Sequence, residues 1–130
     1  MKFALHITCA PYSEQGNLSG LNFAKAVIEK GHTLTRVFFS SDGVNTGSQL
    51  GVIPQDEIDI PSAWSELAII NNVELILCIS ACLKRGLLDQ DEADRYEKEA
   101  SNIRHPFVIS GLGQLAEAAI TNDRLVTFGV

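Results

Sequence analysis

The stretch Leu75-Ile-Leu-Cys-Ile-Ser-Ala-Cys-Leu-Lys-Arg-Gly86 decides the fold. Its first five residues belong to an almost continuous apolar run, residues 73–79, which is the pattern of a strand buried on both of its faces. A short helix is predicted directly after this run, over residues 80–85, with Gly86 at its end. Because a strand buried on both faces needs helices on each side of its sheet, the stretch indicates an α/β fold with parallel strands.

Strands and helices alternate along the rest of the sequence. Turn-forming residues occupy positions 40–47, and the polar stretch to residue 56 is predicted as loop with a short helix. The predicted architecture is a single domain over residues 1–130, a three-layer α/β/α arrangement with a five-stranded parallel sheet, flavodoxin-like in appearance. The predicted strands are residues 2–8, 33–39, 73–79, 107–110 and 124–128, and the predicted helices are residues 18–30, 61–71, 80–85, 89–100 and 112–121.

Several side chains specify how these helices begin, pack and end. Gly31 is in place to close the first helix, and Pro61 fits the first turn of the second. The second helix is predicted to turn Trp64, Leu67 and Ala68 inward. Helix 89–100 is strongly charged, so we predict a mostly solvated face there.

Composition excludes several classes of function. The 130 residues are 45% hydrophobic and 20% charged, which is ordinary for a globular protein. A formal net charge of -6 argues against direct nucleic-acid binding, which needs a clustered basic surface. No apolar run approaches the roughly 18 residues of a membrane span.

The first nine residues superficially match an export signal, with a lysine, an apolar run and a cysteine. The run is shorter than the roughly 7–15 apolar residues of a signal core and is interrupted by His6, so we predict a first strand and a cytoplasmic protein. Thiols stay reduced in that compartment. The three cysteines, Cys9, Cys78 and Cys82, are therefore not expected to form disulfides.

Cys78 is predicted at the carboxyl end of the third strand, just ahead of a helix start, and active residues gather at this edge of open α/β sheets. Unpaired N–H groups and the helix dipole stabilise a thiolate at such a position. Ser80 is a candidate N-cap, and Lys84 and Arg85, nearly two turns along, are candidate sources of positive potential. The spacing alone leaves two interpretations of Cys78 open, a reactive thiolate and a small buried hydrophobic residue.

The other cysteines and the histidines carry weaker signals. Cys82 could be a resolving thiol for Cys78, but C-x-x-x-C is not the redox spacing C-x-x-C, and we favour packing in the core. Cys9 lies at the same sheet edge without any motif, which favours packing or loop filling. The histidines lack metal-ligand spacing, so no metal site is predicted; they are His6, His32 and His105.

The stretch Gly111-Leu-Gly-Gln-Leu-Ala116 has the G-x-G-x-x-A form of a dinucleotide-binding fingerprint. That fingerprint belongs in a first βαβ unit, whereas this stretch follows the fourth predicted strand. We therefore predict that its glycines make a tight turn and let the last helix pack closely on the sheet. A weaker interpretation is that its N–H groups line a cleft at Cys78.

Short motifs recur in a fixed order along almost the whole sequence, and in that order and spacing the chain resembles the DsrE/TusD family of sulfur-relay proteins. The motifs are Lys2-Phe-Ala, Phe23-Ala-Lys-Ala, Gly31-His32, Val37-Phe-Phe with Asp42-Gly-Val, Ala63-Trp64, Cys78 followed by Arg85-Gly86, Asp89, Ser110-Gly-Leu-Gly-Gln-Leu-Ala-Glu-Ala and Asp123-Arg124.

The resemblance implies a sulfurtransferase in which Cys78 carries a persulfide, without a metal or an organic cofactor. It implies a heterohexamer that contains two copies each of this chain, a TusB/DsrH-like subunit and a TusC/DsrF-like subunit. This complex would receive sulfur from a TusA-like donor and pass it to a TusE/DsrC-like acceptor. The sulfur is then destined for 2-thiouridine in tRNA or for sulfur oxidation. We also expect the isolated chain to self-associate. Cys82 departs from the family pattern, in which a small residue such as alanine is usual.

Two other classes of function remain open on the sequence. One is a flavodoxin-like module that binds a nucleotide or flavin through its strand-end loops. The other is a non-catalytic assembly subunit in which Cys78 only packs.

Overall fold

A computed structural model of the chain describes residues 1–129 and contains one five-stranded parallel sheet in the order β4-β3-β2-β1-β5. The strands are β1 (Lys2–Ile7), β2 (Thr33–Phe39), β3 (Glu74–Cys78), β4 (Val108–Ser110) and β5 (Arg124–Phe128). The helices are α1 (Gly16–Glu29), α2 (Ile60–Asn71), α3 (Ile79–Lys84), α4 (Gln90–Arg95) and α5 (Gly113–Thr121), with a 3₁₀ helix at Ser41–Gly47. The predicted α/β class with a five-stranded parallel sheet is confirmed.

Helices cover both faces of this sheet. α1 and α2 pack on the face that presents Ile7 and Phe39, and the fully buried ring of Trp64 meets Phe39 edge-on with 5.5 Å between ring centroids. α5 packs on the opposite face, which presents Phe38 and Ile76. The prediction that the apolar side chains of α2 point inward is confirmed, because Trp64, Leu67 and Ala68 are all buried.

A buried hydrogen-bond network joins the first face to the loops at the carboxyl edge of the sheet. The Trp64 indole Nε1 donates to Asn17 Oδ1 at 2.9 Å. The Asn17 Nδ2 group donates to Thr46 Oγ1 at 2.8 Å and to the Cys9 carbonyl at 3.1 Å, and Thr46 donates in turn to the Gly43 carbonyl at 2.7 Å. This network fixes α1, α2 and the 3₁₀ helix relative to one another.

Arg36 ties α5 to the other face of the sheet. Its guanidinium donates to the Gln114 carbonyl at 2.9 Å and lies 3.1 Å from a Glu74 oxygen and 3.2 Å from a Glu117 oxygen. Only 7% of Arg36 is exposed, and the two carboxylates compensate its buried charge, while its Nε has no hydrogen-bond partner among the described residues.

The predicted helix 89–100 is too long. Asp89 caps α4 by accepting from the Glu92 N–H, but the helix ends after Arg95. Glu97 adopts a positive φ of 55°, and the Lys98 N–H donates to the Ala93 carbonyl at 2.8 Å, which is the bonding of a Schellman C-cap. Because no glycine marks this end, the sequence pattern did not reveal it.

The prediction that the glycines of the fingerprint-like stretch let the last helix pack closely on the sheet is also wrong, although the Gln114 N–H does donate to the Gly111 carbonyl at 3.1 Å in a turn there. A Cβ added to Gly111 or Gly113 would meet no atom within 4 Å, so neither glycine serves a close approach of α5 to the sheet. The glycines predicted to end helices behave differently. Gly31 and Gly86 have φ values of 83° and 74°, a conformation that glycine adopts most readily.

Candidate functional site

Cys78 lies at the carboxyl end of β3, in register with Ser110 of β4, and is 5% exposed. Its backbone is extended, and Cys78 itself is the N-cap residue of α3. The prediction that Ser80 is the N-cap is wrong, because Ser80 lies inside the first turn of α3. Its hydroxyl instead lies 3.5 Å from the Cys78 sulfur. The strand ends one residue earlier than expected, which shifts the helix start.

The two basic residues after Cys78 differ in what they contribute. Arg85 donates through Nε to the Asp42 carboxylate at 2.9 Å and through Nη1 to the Ala81 carbonyl at 3.1 Å. Its charge is therefore committed to an ion pair that holds α3 against the 3₁₀ helix. Lys84 is exposed at the end of α3. Neither cation contacts Cys78 directly in the described residues.

Cys82 is completely buried within α3. Burial raises the pKa of its thiol to about 12, with a smaller contribution from the nearby Cys78 sulfur. A thiol of this kind stays protonated at neutral pH and is a poor nucleophile. Its carbonyl accepts from the Arg85 and Leu87 N–H groups, which places the residue in the packed end of the helix.

Cys9 follows β1 and lines a cavity of about 370 Å³ at the same edge of the sheet. Cys78 is not among the residues that line this cavity. Burial raises the pKa of the Cys9 thiol, and the Glu14 carboxylate raises it further against the opposing hydrogen bond from Asn17. Burial and the Glu14 carboxylate therefore disfavour a thiolate at Cys9.

Comparisons with known proteins identify the family. The DsrE/DsrF-like family model matches residues 1–128. The chain belongs to the DsrE/DsrF-like family. The DsrE protein of Allochromatium vinosum is 50% identical over 99% of this chain and 99% of its own length. A sulfurtransferase TusD homolog of Pseudomonas aeruginosa is 44% identical over 99% of this chain and 98% of its own length. The predicted family and the predicted sulfurtransferase class are thereby confirmed.

A solved structure has the same DsrE-like architecture. The YchN protein of E. coli superposes with a TM-score of 0.78 at 25% identity, over 98% of this chain and 99% of that protein. The two chains therefore share the overall arrangement of sheet and helices.

The described residues contain no helix that is long and apolar enough to cross a membrane. Nor do residues 1–129 contain a group of three or more histidine, cysteine, aspartate or glutamate side chains placed to hold a metal ion. The candidate site of this DsrE-like chain consists of Cys78 and the Ser80 hydroxyl that lies 3.5 Å from its sulfur.

Alkylation of the native protein should label the three cysteines at different rates. With iodoacetamide at pH 8, we expect Cys78 to be labelled first, because Cys82 is sealed in the core with a pKa of about 12 and Cys9 is 2% exposed with a raised pKa. Time-resolved mass spectrometry measures the order, and the urea-unfolded chain, which should label at all three positions, is the control. Labelling of Cys82 as fast as Cys78 in the native protein would contradict this ranking.

Proposed function

We propose that this chain is the sulfur-carrying subunit of a cytoplasmic persulfide relay, with Cys78 as the residue that carries the sulfur. The single observation that carries the proposal is the environment of Cys78 in a DsrE/DsrF-like chain. Cys78 alone of the three thiols ends a central strand, and the Ser80 hydroxyl lies 3.5 Å from its sulfur.

The chemistry requires only a thiolate and access to it. The Cys78 thiolate attacks the outer sulfur of a donor persulfide, and the donor cysteine leaves as a thiolate. The resulting Cys78 persulfide then gives its outer sulfur to the thiolate of an acceptor. No net oxidation occurs in either step, so neither a metal nor an organic cofactor has to take part. We propose Cys82 as a packing residue, and Ser80, Lys84 and Arg85 as accessory residues of the site.

The proposed partners are a TusA-like donor, a TusE/DsrC-like acceptor, and TusB/DsrH-like and TusC/DsrF-like subunits in a heterohexamer. Exposed apolar side chains on and beside α5 and β4 support assembly with other chains, because burial against a partner would remove their apolar surface from water. These side chains are Val108, Leu112 and Ile120. The acceptor determines whether the sulfur proceeds to 2-thiouridine in tRNA or to sulfur oxidation.

A labelled-sulfur relay tests this function. A TusA-like protein that bears a ³⁵S persulfide is mixed with the chain, alone and after co-expression with TusB-like and TusC-like subunits, and a TusE-like protein is added last. We expect the label on this chain first and on the acceptor second, with faster transfer in the assembled complex. Direct passage of label from donor to acceptor at the same rate without this chain would contradict the proposal.

A further inference from the structure

The register of the sheet places Ser40, the residue that follows β2, next to Cys78. Phe39 and Leu77 are the last paired residues of β2 and β3. Ser40 continues β2 by one residue, because its backbone is extended and its N–H donates to the Ile7 carbonyl at 3.0 Å. Continuing the register places Ser40 directly beside Cys78, at the spacing of about 4.8 Å between neighbouring strands.

Strand alternation puts the two side chains on the same face. Leu77 points to the face covered by α2 and the 3₁₀ helix, where it fills the space that a side chain at Gly47 would need. Successive side chains of a strand point to opposite faces, so Cys78 projects from the α5 face. Ser40 is on that face too, because it bonds to His6, whose ring lies 6.0 Å from that of Phe38.

His6 and Ser40 form a defined pair. The His6 Nε2 atom lies 2.8 Å from Ser40 Oγ, and both residues are half-buried. Burial lowers the pKa of His6, so the imidazole is neutral near pH 7. When the neutral ring carries its proton on Nε2, it donates to Ser40 Oγ and leaves the Ser40 proton free to point elsewhere. Cys78 Sγ already has a hydroxyl neighbour in Ser80, at 3.5 Å.

We propose that Ser40, oriented by His6, donates a hydrogen bond to the outer sulfur of a persulfide on Cys78. The inference rests on the proposed function and adds two residues to its site. The sulfur–sulfur bond is about 2.05 Å long, so the outer sulfur reaches beyond Sγ toward the neighbouring strand. The Ser80 hydroxyl then lies beside the inner sulfur, Cys78 Sγ, and the Ser40 hydroxyl donates to the outer sulfur. Ser40 is a ligand of the carried sulfur, and His6 is a positioning residue.

The hydrogen bond assists the transfer step. The incoming nucleophile forms a bond to the outer sulfur while the bond between that sulfur and Cys78 Sγ breaks, and the electron pair of the broken bond stays on Sγ. A donor on the outer sulfur withdraws negative charge from the attacked atom and holds the disulfide in one orientation. The proton of Ser40 stays on its oxygen throughout, and no oxidant or reductant is required.

Cyanide is a suitable probe, because it removes the outer sulfur in one step as thiocyanate. Each variant is loaded with sodium polysulfide, the persulfide on Cys78 is quantified by mass spectrometry, and thiocyanate release is then timed. We expect Ser40→Ala to load normally but to release thiocyanate about tenfold more slowly, the effect of one hydrogen bond to a charged group. Ser40→Thr, which keeps the hydroxyl, should restore the rate.

His6→Phe tests the positioning role, since phenylalanine keeps the packing against Phe38 but cannot bond to Ser40. We expect slower release than in wild type, and a double variant with Ser40→Ala no slower than Ser40→Ala alone, because His6 acts only through Ser40. Ser110→Ala is the matched control, since Ser110 flanks Cys78 from β4 and has no role in the proposal. Its release rate should stay within about twofold of wild type.

The outcomes separate the two proposals. Normal loading of Cys78 with wild-type release from Ser40→Ala overturns the role of Ser40 and leaves the sulfur-carrier function intact. Equal slowing by Ser110→Ala, or independent effects of His6→Phe and Ser40→Ala, overturns the specific pair. A wild-type chain that takes up no sulfur on Cys78 overturns the proposed function and the inference together.

Discussion

Cys78→Ser is expected to leave the fold unchanged and to abolish sulfur transfer. Serine is close in size to cysteine, and the hydroxyl of Ser80 lies beside the substituted position to satisfy the new one. A serine hydroxyl does not form a persulfide, so release of thiocyanate after polysulfide treatment should fall by more than about 100-fold, to the level of the reagents alone. Circular dichroism and thermal unfolding establish that the variant is folded.

Cys82→Ala and Cys9→Ala are the matched controls for this loss. Both remove a buried thiol, and we expect each to cost about 1 kcal/mol of stability while most transfer is retained. Cys82→Ala also restores the small residue that is usual in the family. Loss of transfer in Cys82→Ala equal to that in Cys78→Ser would mean that the two thiols act as a pair, contrary to the packing role that we assign to Cys82.

Asn17→Leu is expected to produce the largest loss of stability among the polar substitutions proposed here. The two side chains have similar size, so the main effect is the loss of hydrogen bonds in a site with no access to water. The Trp64 N–H and the Cys9 carbonyl would each lose a buried partner. At about 1–3 kcal/mol for each unsatisfied group, unfolding should become easier by roughly 3 kcal/mol, and the melting temperature should fall by roughly 10 °C.

Asn71→Leu is the matched control for this network. Asn71 is exposed at the end of α2 and makes a single hydrogen bond to the Leu67 carbonyl. Its replacement should change the free energy of unfolding by less than about 0.5 kcal/mol. Urea unfolding measures both variants. An Asn17→Leu variant as stable as Asn71→Leu would show that the buried network does not stabilise the loops at the carboxyl edge.

The parts of the fold that the sequence predicted well are those with strong local signals. The apolar run before Cys78 identified a strand that is buried on both faces, and the bounds of β2 and β5 agree with the predicted ones. Gly31 and Gly86 marked helix ends because a positive φ favours glycine. Each of these signals depends on residues close together in the chain.

The errors arose where the structure depends on an unusual local conformation. Glu97 ends α4 with a positive φ although it is not glycine, and the pattern of charged residues therefore suggested a longer helix. β3 ends at Cys78, so Cys78 and not Ser80 becomes the N-cap of α3. Helix boundaries are commonly displaced by a residue or two, and here that displacement determines which residue precedes the helix.

Interactions between distant residues could not be predicted from one sequence. Asn17 lies 47 residues from Trp64, and His6 lies 34 residues from Ser40, so no local pattern connects either pair. Strand order and register bring Ser40 beside Cys78, and neither was fixed by the sequence. The position of Cys78 at a strand end followed from local pattern, whereas the hydroxyl from β2 beside it required the three-dimensional structure.

Site-resolved mass spectrometry shows whether Cys78 is the residue that carries the sulfur. The wild-type chain is treated with sodium polysulfide, persulfides are trapped with iodoacetamide, and fragmentation of the digested peptides separates Cys78 from Cys82. We expect an added mass of about 32 Da on Cys78, with no added sulfur on Cys9 or Cys82 at the same time point. Added sulfur on Cys9 or Cys82 in its place, or on none of the three, would contradict it.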